Sequence, residues 1–247
     1  MRGVYWNGQI VSSDKVLIPF EDAGFLYGEG VFTTLRVKNG QPCFLKEHLA
    51  RLKEQSEMLS LPQPKIDHRV IFDLIALNQA LQGDFRLKLI RTPGQEIAFV
   101  APYQAREGEP CTLRLEPIPH YQSSAPIKSL AYLDRKWARA KAQQEGFDDS
   151  LLCCPGGFWL ETGSGNVFWH EKGKFYYPSQ TNFYLKGIIL TRLIESKQMV
   201  PAVSNPSREA NLYLCNSLHG VRPVVQVQGF PYPRDFDMEK EWPFLVK

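Results

Sequence analysis

The stretch PIPHYQSSAP at 117–126 constrains this chain more than any other. Its three prolines lack backbone N–H groups and fix φ, so neither a regular helix nor a central strand can cross it. Such a composition reads as an interdomain linker over 119–126. The 247 residues then divide into a smaller N-terminal α/β domain at 1–118 and a larger C-terminal domain at 127–247. With 43% hydrophobic residues, each has enough apolar surface to build a core.

Before the linker, Val4–Trp6 and Gln9–Val11 flank Asn7-Gly8, a pair suited to the positive φ angles of a type I′ hairpin. Residues 30–37 are β-rich, and Asn39-Gly40 turns them toward a partner strand at 42–44. Leu45, Leu49, Leu52 and Leu59 recur at helical spacing, and Pro62 and Pro64 end that helix. A second helix over 66–81, strands at 85–91 and 96–101 around Thr92-Pro93-Gly94, and a strand at 111–116 complete an α/β or α+β layer. After the linker, Lys128 opens a helix whose apolar face is Leu130, Leu133, Trp137 and Ala140, ending near Gly146. Strands follow at 150–154, 157–160, 166–170, 174–177, 211–215 and 221–227, with a helix over 185–199, the pattern of a barrel-like sheet.

The 29 Lys and Arg exceed the 26 Asp and Glu by only three, too small a surplus for a nucleic-acid footprint. No run of about 18 apolar residues suggests a membrane span. Five cysteines, two of them adjacent, make a poor disulfide framework, and the absence of an apolar leader at the start points to a reducing cytoplasm. The five histidines are scattered without ligand spacing, so no metal site is expected. Gly28-Glu29-Gly30 lacks the third glycine of a dinucleotide loop.

Two segments carry chemistry in combination: IKSL at 127–130, and LETGSGNVF at 160–168, which brings a carboxylate into a turn of small residues. With GEGVFTTLRV (28–37), FLKEHLARL (44–52), LKGI (185–188) and CNSLHGVRPV (215–224), they resemble, in order, the motifs of the class IV aminotransferase family, the fold-type IV pyridoxal-phosphate enzymes. That resemblance implies a two-domain α/β (α+β) fold, pyridoxal 5′-phosphate as cofactor, a small-molecule substrate and a homodimer with the active site near the subunit interface. It implies that Lys128 forms the Schiff base and then acts as the general base. Glu161 would face the pyridine nitrogen and keep it protonated. Arg51 would grip the phosphate, joined by backbone N–H groups of Gly187 and Ile188. Leu185 would lie on the ring face, with Ser217 and Leu218 on the opposite side of the cup.

Departures from the family pattern point to a branch. Ile189 and Leu218 stand where many transaminases carry phosphate-binding threonines, which removes two hydroxyl contacts of about 0.5–1.5 kcal/mol each. The D-amino acid branch has a tyrosine at the position of Phe32 and an Arg-Xaa-His loop after the strand ending near Arg91; residues 92–96 offer neither Arg nor His. The glycine-rich segment of the branched-chain enzymes is absent around Lys128. What remains resembles the lyases that convert 4-amino-4-deoxychorismate into 4-aminobenzoate and pyruvate, a step toward folate. In that reading Thr33 or Thr34 positions the leaving group, and Phe32, His219 and Arg222 face the substrate. An aminotransferase of branched-chain or D-amino acid type and a non-catalytic cofactor-binding protein stay open as alternatives.

Overall fold

The computed structural model describes residues 2–116, 126–197 and 199–234. Residues 119–125 of the expected linker lie outside them, as does the C-terminal segment from 235 on. The chain divides into two compact units, residues 1–105 with 127–132, and residues 106–126 with 133–247.

In the first unit the elements are β1 (Gly3–Trp6), β2 (Gln9–Ser12), α1 (Ala23–Tyr27), β3 (Val31–Lys38), β4 (Gln41–Pro42), α2 (Leu45–Met58), α3 (His68–Leu77), β5 (Asp84–Arg91) and β6 (Glu96–Pro102). They form one antiparallel sheet in the order β2-β1-β6-β5-β3-β4. Asn7 and Gly8 both take positive φ, as the hairpin requires. On one face of the sheet, Val31, Leu35, Val37, Leu87, Leu89 and Val100 pack against Leu45 and Leu52 of α2 and Ile71, Leu74 and Ile75 of α3. The expected strand at 42–44 shrinks to two residues because Phe44 adopts φ 53° to start α2.

The second unit contains β7 (Cys111–Leu115), α4 (Leu133–Gln144), β8 (Asp149–Cys153), β9 (Trp159–Thr162), β10 (Asn166–Glu171), β11 (Lys174–Pro178), α5 (Ile188–Lys197), β12 (Val200–Ala202), β13 (Asn211–Asn216), β14 (Gly220–Val227) and β15 (Phe230–Pro231). Six of its strands pair in the circuit β10-β13-β14-β7-β8-β9, and β9 returns to β10 through Glu161 and Asn166. The barrel-like expectation is met by this closure. Cys111, Leu113, Leu151, Val167, Leu212, Leu214 and Val224 cluster in its core.

Three local expectations are corrected. The strand at 111–115, read as part of the N-terminal layer, lies between β14 and β8 with parallel pairing to both. Chain order cannot reveal this, because the circuit closes only with a strand from before the Pro-rich stretch. Lys128 does not open a helix; residues 127–130 are irregular with a single β-bridge at Ser129, and α4 begins at Leu133. Nor does α4 bury Leu133 and Trp137, which are 75% and 59% exposed. Its buried face is Arg135, Ala138 and Ala142, since Arg135 has a buried acidic partner that hydropathy does not register.

Candidate active site

In the first unit the site grows from β3. Successive strand residues face opposite sides, which places Val31, Thr33 and Leu35 with the core and leaves Phe32 and Thr34 on the other face. Helix α2 turns His48, Arg51 and Gln55 toward one side at spacings of three and four residues. Thr33, fully buried, lies 2.6 Å by its hydroxyl from His48 Nδ1 and accepts a hydrogen bond from Arg51 Nη2 at 2.7 Å.

Lys128 is fastened through its main chain. Its N–H donates to Gln55 Oε1 at 3.0 Å and its carbonyl accepts from Phe32 N at 2.9 Å. Leu130 N donates to the Gly30 carbonyl, and Val31 bridges Ser129. The Gly28-Glu29-Gly30 motif makes this docking possible rather than forming a nucleotide loop. A Cβ on Gly28, which has φ 70°, would come within 2.9 Å of Ala131 N, and one on Gly30 within 2.7 Å of the Arg91 carbonyl. The Lys128 ammonium lies 4.7 Å from the Phe32 ring centroid and 5.2 Å from that of Tyr132, and the two rings meet edge to face. Lys88 Nζ sits 4.4 Å from the same Phe32 ring.

Arg51 carries the strongest sign of an anionic ligand. Its guanidinium is largely buried, which lowers its pKa to about 10, and its Nε has no hydrogen-bond partner among the described residues. Among the described residues its hydrogen-bond partner is a neutral hydroxyl, and a cation so placed costs free energy unless an anion joins it. A phosphate fits that need.

In the second unit Glu161 leaves β9 4% exposed and accepts from Arg135 Nε at 3.0 Å and Nη2 at 2.7 Å. Two asparagines organise the surrounding loops. Asn166 accepts from Gly187 N at 2.9 Å and donates to the Leu185 carbonyl at 2.8 Å, fixing the approach to α5. A Cβ on Gly187 would stand 2.6 Å from Asn166 Oδ1. The first N–H groups of α5, from Ile188 and Ile189, lack intrahelical acceptors and carry the partial positive charge of a helix start. Asn216 accepts from the N–H groups of Leu218 and His219, shaping the turn that carries Ser217 and Leu218.

Arg222 and His219, expected to face the substrate, both have partners within the second unit. Arg222 is buried and spends its guanidinium on the carbonyls of Glu109 and Pro110 and on Asp148. His219 Nδ1 accepts from Arg106 N, and burial together with Arg222, Arg139 and Arg106 lowers its pKa to about 4, so the ring is neutral. Both hold the β13–β14 end in place. Burial, then the Arg51 and Lys128 cations, also keep His48 well below the usual imidazole range. The unfolded chain protonates both rings near pH 6.5, the folded chain does not, and stability therefore falls as pH drops through that range. Each histidine should cost about 1.4 kcal/mol between pH 7.5 and 5.5. Urea midpoints at the two pH values check this, and unchanged midpoints would contradict it.

His48, Gln55, Arg135, Asn166 and Asn216 escaped the sequence reading. The first two left one signal, a polar stripe on the face of α2 that also buries Leu45 and Leu52. Among the described residues, no group of three or more His, Cys, Asp or Glu is arranged to hold a metal ion, and no helix is long and apolar enough to cross a membrane.

Comparison with known proteins gives the class, the pyridoxal-phosphate enzymes of fold type IV. The amino-transferase class IV family profile matches residues 30–227, and the chain belongs to that family. It is 28% identical to the aminodeoxychorismate lyase of Bacillus subtilis, covering 93% of this chain and 88% of that one. It is 25% identical to a putative branched-chain-amino-acid aminotransferase of Methanocaldococcus jannaschii, covering 92% and 88%. The crystal structure of a putative 4-amino-4-deoxychorismate lyase from Legionella pneumophila superposes with a TM-score of 0.82 at 24% identity, over 95% of this chain and 97% of the other.

Proposed function

We propose that this chain is a lyase that converts 4-amino-4-deoxychorismate into 4-aminobenzoate and pyruvate, in a step toward folate. The observation that carries the choice of branch is the β5–β6 turn. Thr92 donates to Asp22 Oδ2 and accepts from Gln95 N, while Gln95 Oε1 accepts from Trp6 Nε1 and Asn7 Nδ2. The neighbouring Arg91 is 9% exposed and donates through Nε to the Pro62 carbonyl. The turn is thus a closed structural hairpin without a cationic clamp for an amino acid carboxylate, which a transaminase of the D-amino acid type needs for both its substrates. The similarity to the Bacillus subtilis lyase supports the same choice.

The cofactor is pyridoxal phosphate, which supplies an electron sink for negative charge developing next to the substrate's amine. In this reading Lys128 holds the cofactor through its amine and, once displaced, takes the proton from C4 of the substrate ring. Glu161 keeps the pyridine nitrogen protonated. Arg51 and the N–H groups of Gly187, Ile188 and Ile189 hold the phosphate, Leu185 covers the ring face, and Ser217 and Leu218 line the cup. Of the two threonines, Thr34 is the one that shares a strand face with Phe32, beside which the Lys128 ammonium sits, and it is assigned to the leaving enolpyruvyl group.

The test is pyruvate release from 4-amino-4-deoxychorismate by the holoenzyme with no keto acid present. Multiple turnovers are expected. An enzyme that is silent until a keto acid is added, and then consumes an amino donor, is an aminotransferase. One that takes up the cofactor and does neither is a binding protein, and either result rejects the lyase.

A further inference from the structure

The hydroxyl of Thr33 sits between Arg51 Nη2 and His48 Nδ1. A guanidinium only donates hydrogen bonds, so at 2.7 Å Thr33 Oγ1 is the acceptor from Arg51 Nη2. The hydroxyl proton then points to its other close neighbour, His48 Nδ1 at 2.6 Å. That requires a neutral imidazole with its proton on Nε2, an atom that is itself buried without a partner. All three residues stand on two packed elements, β3 and α2. The bond to Thr33 engages one of the five guanidinium N–H donors, and Nε is a buried donor with no partner among the described residues.

We propose that Thr33 and His48 are positioning residues for Arg51, locking its guanidinium in the orientation that presents its remaining N–H donors to the cofactor's phosphate. This rests on the reading that Arg51 holds that phosphate. It assigns Thr33 a different task from Thr34, one that acts through the arginine without touching substrate. An arginine side chain has several rotatable bonds, and a hydrogen bond to one Nη removes most of that freedom before the ligand arrives. The histidine is needed because a threonine hydroxyl with no acceptor of its own would rotate and could present its proton to the guanidinium instead.

The experiment compares the affinity of the apo protein for pyridoxal phosphate with its affinity for pyridoxal, which lacks the phosphate, by spectroscopic titration. The ratio of the two isolates the phosphate contacts. Arg51→Met should collapse the ratio most. Thr33→Val should weaken pyridoxal phosphate binding about tenfold while leaving pyridoxal within about twofold, and Thr33→Ser, which restores the hydroxyl, should recover the wild-type ratio. His48→Leu, which removes the acceptor but keeps Thr33, should lower the ratio to an intermediate value and serves if Thr33→Val does not fold. A wild-type ratio in Thr33→Val or in His48→Leu, together with a collapsed ratio in Arg51→Met, overturns the positioning role. An unchanged ratio in Arg51→Met shows that the phosphate lies elsewhere, and both readings fall.

Discussion

Replacing Lys128 by alanine should lower turnover by about 10³-fold or more and abolish borohydride-stable attachment of the cofactor, while leaving the fold intact. The size of the loss follows from two tasks in one amine, covalent attachment and proton transfer, the second alone worth about 10²–10⁴-fold. The intact fold follows from how the segment is held. The Lys128 amide to Gln55, the Lys128 carbonyl to Phe32 and the Leu130 amide to Gly30 are main-chain bonds that alanine keeps. Loss of the contacts with the Phe32 and Tyr132 rings costs about 0.5–1 kcal/mol. Mass spectrometry after borohydride treatment with pyridoxal phosphate should show an adduct on the wild-type chain and none on a variant whose melting curve is nearly unchanged. A variant that still gains the adduct would move the attachment point to another amine and remove the basis of the assignment.

Much of this was written locally in the sequence. The Asn7-Gly8 hairpin, the leucine spacing of α2 and the alternation along β3 each depend on neighbouring residues, and the elements form close to where those patterns lie. What depended on distant residues was not readable. Cys111–Leu115 is a sound strand by pattern, but only pairing with β14 and β8 decides its sheet. The segment at Lys128 looked like the first turn of a helix because its neighbours are good helix formers. Tertiary hydrogen bonds to β3 and Gln55 outweigh that propensity, and two glycines about a hundred residues earlier leave the space for it. Arg222 shows how a conspicuous cation can carry structural partners that its sequence neighbourhood does not announce. A conspicuous cation next to a cofactor motif invited a substrate role, whereas two carbonyls from the loop before β7 already take its guanidinium. Buried polar groups are the hardest to foresee because their partners arrive from other elements, and Arg135 is the clearest case.

Arg135→Met should destabilise the protein by about 3–5 kcal/mol, the cost of leaving one member of a buried ion pair without its counter-charge. Both side chains are about 5% exposed, and Arg135 places Nε and Nη2 on a single oxygen of Glu161. Methionine nearly matches the length of the arginine stem, so packing of α4 on β8 survives and the loss is mainly electrostatic. The double variant Arg135→Met, Glu161→Gln should therefore recover most of that stability, because an uncharged amide no longer demands a cation. Activity should follow a different course. Glu161 is the carboxylate assigned to the ring nitrogen, so the double variant should melt close to wild type and still turn over about 10²-fold more slowly or worse. Chemical denaturation and steady-state rates on the same preparations separate the two effects. If Arg135→Met unfolds at the wild-type midpoint, the pair carries no net stability. If the double variant regains both stability and turnover, Glu161 is a partner for α4 and nothing more.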